Sequence, residues 1–261
     1  MYNIQTLNKI AACGTDIFDK NNYAISDAPE NPDAIMVRSA KMHDMTFGDN
    51  LLCIARAGAG VNNIPVERCA EEGICVFNTP GANSNAVKEL AICALLLASR
   101  KITEAAAWAA SLKGTEDAPK TVESGKSKFA GPEIAGKTLG VIGLGAIGAK
   151  VANAAVALGM DVVGFDAFLT DAAAAALLPE VKVVNSLDEV YAAADYVSLH
   201  LPCNDSTKGM INKDAFAVMK DGVKILNFSR DALVNDVDML AALDSGKVGK
   251  YVTDFPNDNL V

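Results

Sequence analysis

Two histidines, one tryptophan and no C-x-x-C pair leave this 261-residue chain little with which to build a metal centre. Its six cysteines (Cys13, Cys53, Cys69, Cys75, Cys93 and Cys203) are scattered, so a zinc site is not expected. Cys53, Cys75 and Cys93 lie inside apolar runs and are expected as reduced core thiols, in a cytoplasmic setting. Cations are in deficit: 23 Lys and Arg stand against 32 Asp and Glu, a formal charge of −9. General nucleic-acid binding needs clustered cations on phosphates and is therefore not expected. Long hydrophobic runs are missing too. The longest, Leu90 to Ala98, falls far short of the roughly 20 residues that span a bilayer. The start, Met1-Tyr2-Asn3-Ile4, lacks the basic and apolar regions of a secretory signal. What remains is globular: 51% hydrophobic and 21% charged residues are too apolar for wholesale disorder.

The N-terminal third carries short apolar runs at Ala34 to Val37, Leu51 to Ala55 and Ile74 to Phe77. Runs of that length suit buried parallel strands, with Val61 to Ala70 supplying a crossover. A long helix is predicted next, with Val87, Leu90, Ala91, Ala94, Leu95 and Ala98 on one face. Its alanine-rich continuation runs past Trp108 to Gly114. The polar segment from Thr115 to Lys128 reads as an exposed loop. From Lys137 onward, strand-like runs alternate with helical stretches, among them Gly148 to Leu158 with Val151, Ala154, Ala155 and Leu158 on one face. That rhythm predicts an α/β fold with a doubly wound parallel sheet.

The strongest chemical signal is Gly143-Leu144-Gly145-Ala146-Ile147-Gly148. A lone G-x-G-x-x-G is weak, but this one follows a predicted strand, opens a helix, and precedes Asp166 at the end of the next strand. Gly143 permits the tight turn, Gly145 lets backbone approach a pyrophosphate, and Gly148 lets helix and strand pack closely. The helix N-terminus offers N–H groups to the anion. Asp166 is suited to the adenosine ribose hydroxyls and repels a 2′-phosphate, which favours NAD over NADP in a Rossmann domain. A second clue is Asn227 to Val234, which follows a predicted strand. Arg230 there can grip a carboxylate bidentately.

The resemblance rests on Arg38-Ser39, on Arg56-Ala57-Gly58-Ala59-Gly60-Val61-Asn62-Asn63-Ile64, and on Asn78-Thr79-Pro80-Gly81-Ala82-Asn83-Ser84. It continues through Gly136 to Gly148, His200-Leu201-Pro202, Asn227 to Val234 and Asp254-Phe255. Over nearly its whole length the chain resembles the D-isomer-specific 2-hydroxyacid dehydrogenases. The resemblance implies two domains: residues 1–83 as the N-terminal part of a smaller flavodoxin-like substrate domain, and 84–261 as a Rossmann NAD domain with a linker helix and an exposed arm. It implies chemistry in a cleft between them. By position, Gly143, Gly145, Ala146, Ile147, Gly148 and Asp166 would bind NAD, with Leu201 and Pro202 on the adenosine side. Phe228, Ser229 and Arg230 would lie by the nicotinamide, and Asp254 would hold its carboxamide. Arg230 would be catalytic, binding the substrate carboxylate and carbonyl. Arg38, Ser39, Arg56, Ala57, Gly58, Ala59 and Asn83 would meet the rest of a small hydroxy acid, and Arg38 and Arg56, with Lys41 nearby, suit a phosphorylated one. No metal is implied; a homodimer formed through the NAD domain, or a higher homo-oligomer, is, with Thr103 to Lys128 as an arm or else a solvent-exposed loop.

The chain also departs from the family pattern. The family's acid/base is a His in a P-H-x-G motif downstream of Asp254, and the sequence ends at Val261 without one. A C-terminally truncated product and slow turnover are the expectations. The carboxylate paired with that His falls at Asn259, with Asp258 adjacent as the alternative. Asp231 replaces the family's usual glycine and could compete for the Arg230 guanidinium. Two other readings stay open: a dehydrogenase of an unphosphorylated acid, and a non-catalytic NAD-sensing corepressor.

Overall fold

The computed structural model describes residues 1–258. The chain divides into two compact units, Met1–Asn83 and Ser84–Val261.

The first unit runs β1 (Tyr2–Leu7), α1 (Ala12–Thr15), β2 (Tyr23–Ser26), β3 (Ala34–Val37), β4 (Cys53–Arg56), α2 (Val66–Glu71) and β5 (Cys75–Asn78). Its five strands are all parallel, in the order β2-β1-β3-β4-β5. This is the flavodoxin-like order, in which the crevice at strand carboxyl ends is the ligand position. Ile35, Val37 and Ile54 lead into a core completed by Met42, Leu51, Ile64, Cys69 and Ile74. The alternate positions are less covered, and Phe77 is 58% exposed. That corrects the expectation of core thiols. Cys75 and Cys93 are exposed and Cys53 is partly exposed, whereas Cys69, on α2, is buried. A run of apolar residues does not put every member inside, because a strand shows successive side chains to opposite faces.

The second unit begins with α3 (Ser84–Ser99), α4 (Ile102–Ser111) and α5 (Ala118–Gly125). Then come β6 (Thr138–Ile142), α6 (Gly148–Ala157), β7 (Asp161–Phe165), α7 (Asp171–Ala175), β8 (Val181–Val183), α8 (Leu187–Ala193) and β9 (Tyr196–Leu199). It ends with α9 (Lys213–Val218), β10 (Val223–Asn227), α10 (Asp236–Asp244) and β11 (Val248–Thr253). The sheet is again all parallel, ordered β11-β10-β9-β6-β7-β8. Numbered from its first strand this is the Rossmann order, which reverses direction between β6 and β9. Successive residues feed two cores. Leu139, Val141, Tyr196 and Leu226 meet α3 and α6 on one face. Ile142, Val197, Leu199 and Ile225 meet Val190 and Tyr191 of α8, Phe216 of α9 and Met239 of α10 on the other. Burial on both faces is why these strands read as continuous apolar runs.

Three expectations change here. The segment from Thr115 to Lys128 is not a loop but α5 followed by a 3-10 turn, Lys126–Phe129. Trp108 organises it: the indole lies 5.1 Å from the Phe129 ring and 4.2 Å from the Lys128 ammonium. The alanine-rich continuation is a separate helix, broken from α3 at Arg100 and Lys101. On α3 and just after α6, Leu90 and Leu158 are 46% and 42% exposed rather than packed inward, while Ala91, Ala94 and Leu95 do the burying on α3 and Val151 and Ala155 do it on α6.

Candidate functional site

The sheet reversal places the carboxyl ends of β6 and β9 side by side, and the G-x-G-x-x-G turn leaves β6 there. Gly143 takes φ +92°, and a Cβ on it would lie 2.5 Å from the His200 carbonyl. A Cβ on Gly148 would run into the Gly143 carbonyl. Both positions therefore require glycine for close backbone approach. Gly145 differs: a Cβ there would meet nothing within 4 Å. Among the described residues, the N–H groups of Gly145, Ala146 and Ile147 have no partner within the chain. They precede α6, whose N-terminal dipole adds positive potential. An open floor of unpartnered amides is what a diphosphate needs.

Asp166, just past β7, accepts from the Leu144 N–H (2.8 Å) and the Phe168 N–H (2.9 Å), one on each carboxylate oxygen. The two bonds fix the carboxylate and leave each oxygen a lone pair for a hydroxyl donor. Gly143, Gly145, Asp166, Leu201 and Pro202 line one cavity of about 440 Å³. Phe168, 89% exposed, stands at its rim and was not singled out from sequence. The residues present fit a dinucleotide.

His200 lines the same cavity. Its Nε2 lies 2.8 Å from the Ser198 hydroxyl, and burial drops its pKa to about 4. The ring is neutral at pH 7. Because the folded pKa lies below the unfolded one, protonation favours the unfolded chain. Stability is full above about pH 6.5 and falls as pH is lowered toward 4. The loss between pH 8 and pH 5 is about 2 kcal/mol. Urea unfolding at the two pH values checks this, and His200→Gln should flatten the dependence by that amount.

A second group gathers where β10 and β11 end. Asn227 is fully buried and clamps the loop that follows it. Its Nδ2 donates to the Arg230 carbonyl (2.9 Å) and to the Tyr251 hydroxyl (3.3 Å), and its Oδ1 accepts from the Ser229 N–H (3.1 Å). The Ser229 hydroxyl donates to the Leu199 carbonyl at 2.6 Å. Phe228 packs against the α3-side core. This leaves the Arg230 side chain exposed, with Nη1 donating to the Ser229 carbonyl at 2.6 Å. Among the described residues, Asp231 forms no ion pair with it, so the feared competition is not seen. Asp254 is close enough to feel Arg230. Partial burial raises its carboxyl pKa, while a backbone hydrogen bond and the Arg230 charge pull the other way. Asp258 is exposed, and Asn259 lies outside the described residues.

In the first unit, Arg38 and Ser39 follow β3, and Arg56 ends β4 beside Val37. The Ser39 and Ala40 N–H groups donate to Asn8 Oδ1 (2.8 and 2.7 Å). Asn8 sits at φ +68° and belongs to none of the motifs above. Ala57, Gly58 and Ala59 are tied to the strand β5 exit. The Gly58 N–H donates to the Thr79 hydroxyl, 2.8 Å, and Asn78 Nδ2 donates to the Ala59 carbonyl, 2.7 Å. Asn83, exposed, is the last residue of the unit.

Residues 92–260 match the family described as "D-isomer specific 2-hydroxyacid dehydrogenase, NAD binding domain". D-3-phosphoglycerate dehydrogenase of Mycobacterium leprae is 40% identical over 83% of this chain, and the match covers 39% of that protein. Hydroxypyruvate reductase of Thermotoga maritima is 39% identical over 83% of this chain and 66% of its own. Among solved structures, the holo form of D-mandelate dehydrogenase of Rhodotorula graminis superposes with TM-score 0.80 at 25% identity, covering 99% of this chain and 84% of that one. The chain thus spans about two fifths of the phosphoglycerate dehydrogenase it matches. The turn, the acidic strand end and these likenesses converge: the chain belongs to the D-isomer-specific 2-hydroxyacid dehydrogenases, and its cofactor is NAD.

Proposed function

We propose that this chain serves the oxidation of 3-phospho-D-glycerate to 3-phosphooxypyruvate, the entry to serine synthesis, as a cytoplasmic homodimer. NAD, when bound, supplies the hydride acceptor. Arg230 orients the substrate carboxylate and polarises the forming carbonyl, held in place by the Asn227 clamp. Asp254 holds the nicotinamide carboxamide beside Phe228 and Ser229. Leu201 and Pro202 cover the adenosine side, and Asp166 takes the ribose. In the first unit, Arg38, Ser39, the Ala57-Gly58-Ala59 backbone and Asn83 take the remainder of the substrate.

The observation that carries a phosphorylated substrate is the pair of arginines on adjacent strand ends. Arg38 immediately follows Val37, whose register partner across β3 and β4 is Arg56. Two guanidiniums at neighbouring strand ends suit a dianion far better than a hydroxymethyl group. The relatives named D-3-phosphoglycerate dehydrogenase, at 33–40% identity, support the same reading.

The likeness to hydroxypyruvate reductase favours a second reading, an unphosphorylated acid. Arg38→Ala separates them. Loss of one charge-assisted contact of roughly 1.5–3 kcal/mol should lower kcat/KM for the phosphorylated acid about 10–100-fold. The rate with hydroxypyruvate should hardly change. Equal losses on both substrates would sink the phosphate assignment.

Neither histidine of the chain suits the acid/base role. His43 is exposed, with Nε2 3.0 Å from the Asn62 carbonyl, and His200 is held neutral by burial.

A further inference from the structure

Cys53 and Cys75 are register partners on β4 and β5. Both begin their strands, and in-register residues of neighbouring parallel strands show their side chains to the same face. Their thiols are therefore side by side. Cys53 is partly exposed and Cys75 exposed, so solvent reaches the pair. Ala34, the partner of Cys53 on its other flank, adds only a methyl group. Burial raises the Cys53 thiol pKa, and the neighbouring Cys75 sulfur raises it further.

We propose that Cys53 and Cys75 form a two-coordinate thiolate site for a soft monovalent cation, copper(I) above all. The spacing decides this. Neighbouring strands lie about 4.7–4.9 Å apart. With both side chains in the same rotamer, the sulfurs keep that separation. Two opposed metal–sulfur bonds, each taken as about 2.3 Å as for zinc thiolates, span about 4.6 Å. The ion fits between the strands without moving them. A disulfide instead draws the Cβ atoms to about 3.8 Å, roughly an ångström inside the strand spacing. The sheet's hydrogen bonds resist that movement. Thiolate softness selects copper(I) over harder ions. Structural zinc wants four ligands, and among the described residues no cluster of three or more His, Cys, Asp or Glu could hold a metal. Binding replaces the two thiol protons with one ion, so retention should strengthen as pH rises.

The test is an anaerobic titration with copper(I) against a chromophoric copper(I) chelator. The protein carries Cys13, Cys93 and Cys203 as serine, to remove the competing thiols that are exposed or partly exposed. One equivalent should be retained, with a sulfur-to-copper absorption band in the ultraviolet. Changing even an outer-shell partner of a metal costs about 10–100-fold in affinity, so Cys53→Ser and Cys75→Ser should each lose at least that. If Cys53→Ser fails to fold, Cys75→Ser, at an exposed position, decides alone. Retention unchanged in Cys75→Ser overturns the proposal. So does complete conversion of the pair to a Cys53–Cys75 disulfide in air, because it would show the sulfurs closer than the strand spacing.

Discussion

Gly145→Ala is expected to leave the unfolding midpoint unchanged and to weaken NADH binding about 10–100-fold. The added methyl meets no protein atom within 4 Å. The space it enters is where the diphosphate must approach the amides, and loss of one or two charge-assisted bonds of roughly 1.5–3 kcal/mol gives that range. Gly148→Ala should behave in the opposite way. Its methyl collides with the Gly143 carbonyl, so the fold bears the cost, about 1–3 kcal/mol by analogy with overpacked cores. Alanine's better helix propensity recovers at most about 1 kcal/mol of that. Equilibrium denaturation and NADH titration of both variants check the contrast. Were both to lose stability alike, the open floor at Gly145 would not be a ligand position.

Arg230→Ala carries the largest expected effect on turnover. Two charge-assisted bonds to a carboxylate, each worth roughly 1.5–3 kcal/mol, imply a loss in kcat/KM of about 10²–10⁴-fold. Arg230→Lys should recover little of it, because an ammonium cannot reproduce the bidentate fork. NADH affinity should fall far less than turnover, since the guanidinium would lie by the nicotinamide and is not among the diphosphate ligands. Removing the clamp with Asn227→Ala should produce a smaller loss of rate together with lower stability. Asn227 makes three hydrogen bonds from a fully buried position, and unsatisfied partners there cost about 1–3 kcal/mol each. Steady-state rates against the unmodified protein, with NADH titrations alongside, distinguish the two roles.

The second sheet was legible because its inner strands, β6, β9 and β10, are buried on both faces. Val223–Asn227 stands out as an apolar run with turn residues on either side, and the structure has a strand over those same residues. The first two strands escaped notice for the converse reason. Tyr2–Leu7 has a neighbour on each side in its sheet but only Ile4 is buried, so Asn3 and Gln5 break the run. The helix at Ala118–Gly125 was hidden because it buries no residue. Its support comes from Trp108 on another helix, and local composition does not encode that contact. At the site, the glycine turn and Asp166 could be read from spacing, since their chemistry is carried by neighbours in sequence. Asn8, which holds the backbone after Arg38 from 31 residues away, could not. Nor could the tie between Asn227 and Tyr251, 24 residues apart.

The most direct test of the account is calorimetric titration of the chain with NADH and with NADPH, on the unmodified protein and on Asp166→Asn. The side-chain amide keeps an acceptor for the Leu144 N–H and removes the charge. One NADH should bind per chain, NADPH at least about tenfold more weakly, and the substitution should close most of that gap, a shift of about 1.4 kcal/mol or more. Absence of NADH binding to folded protein, or the same preference in Asp166→Asn, would contradict the placement of the coenzyme on this turn.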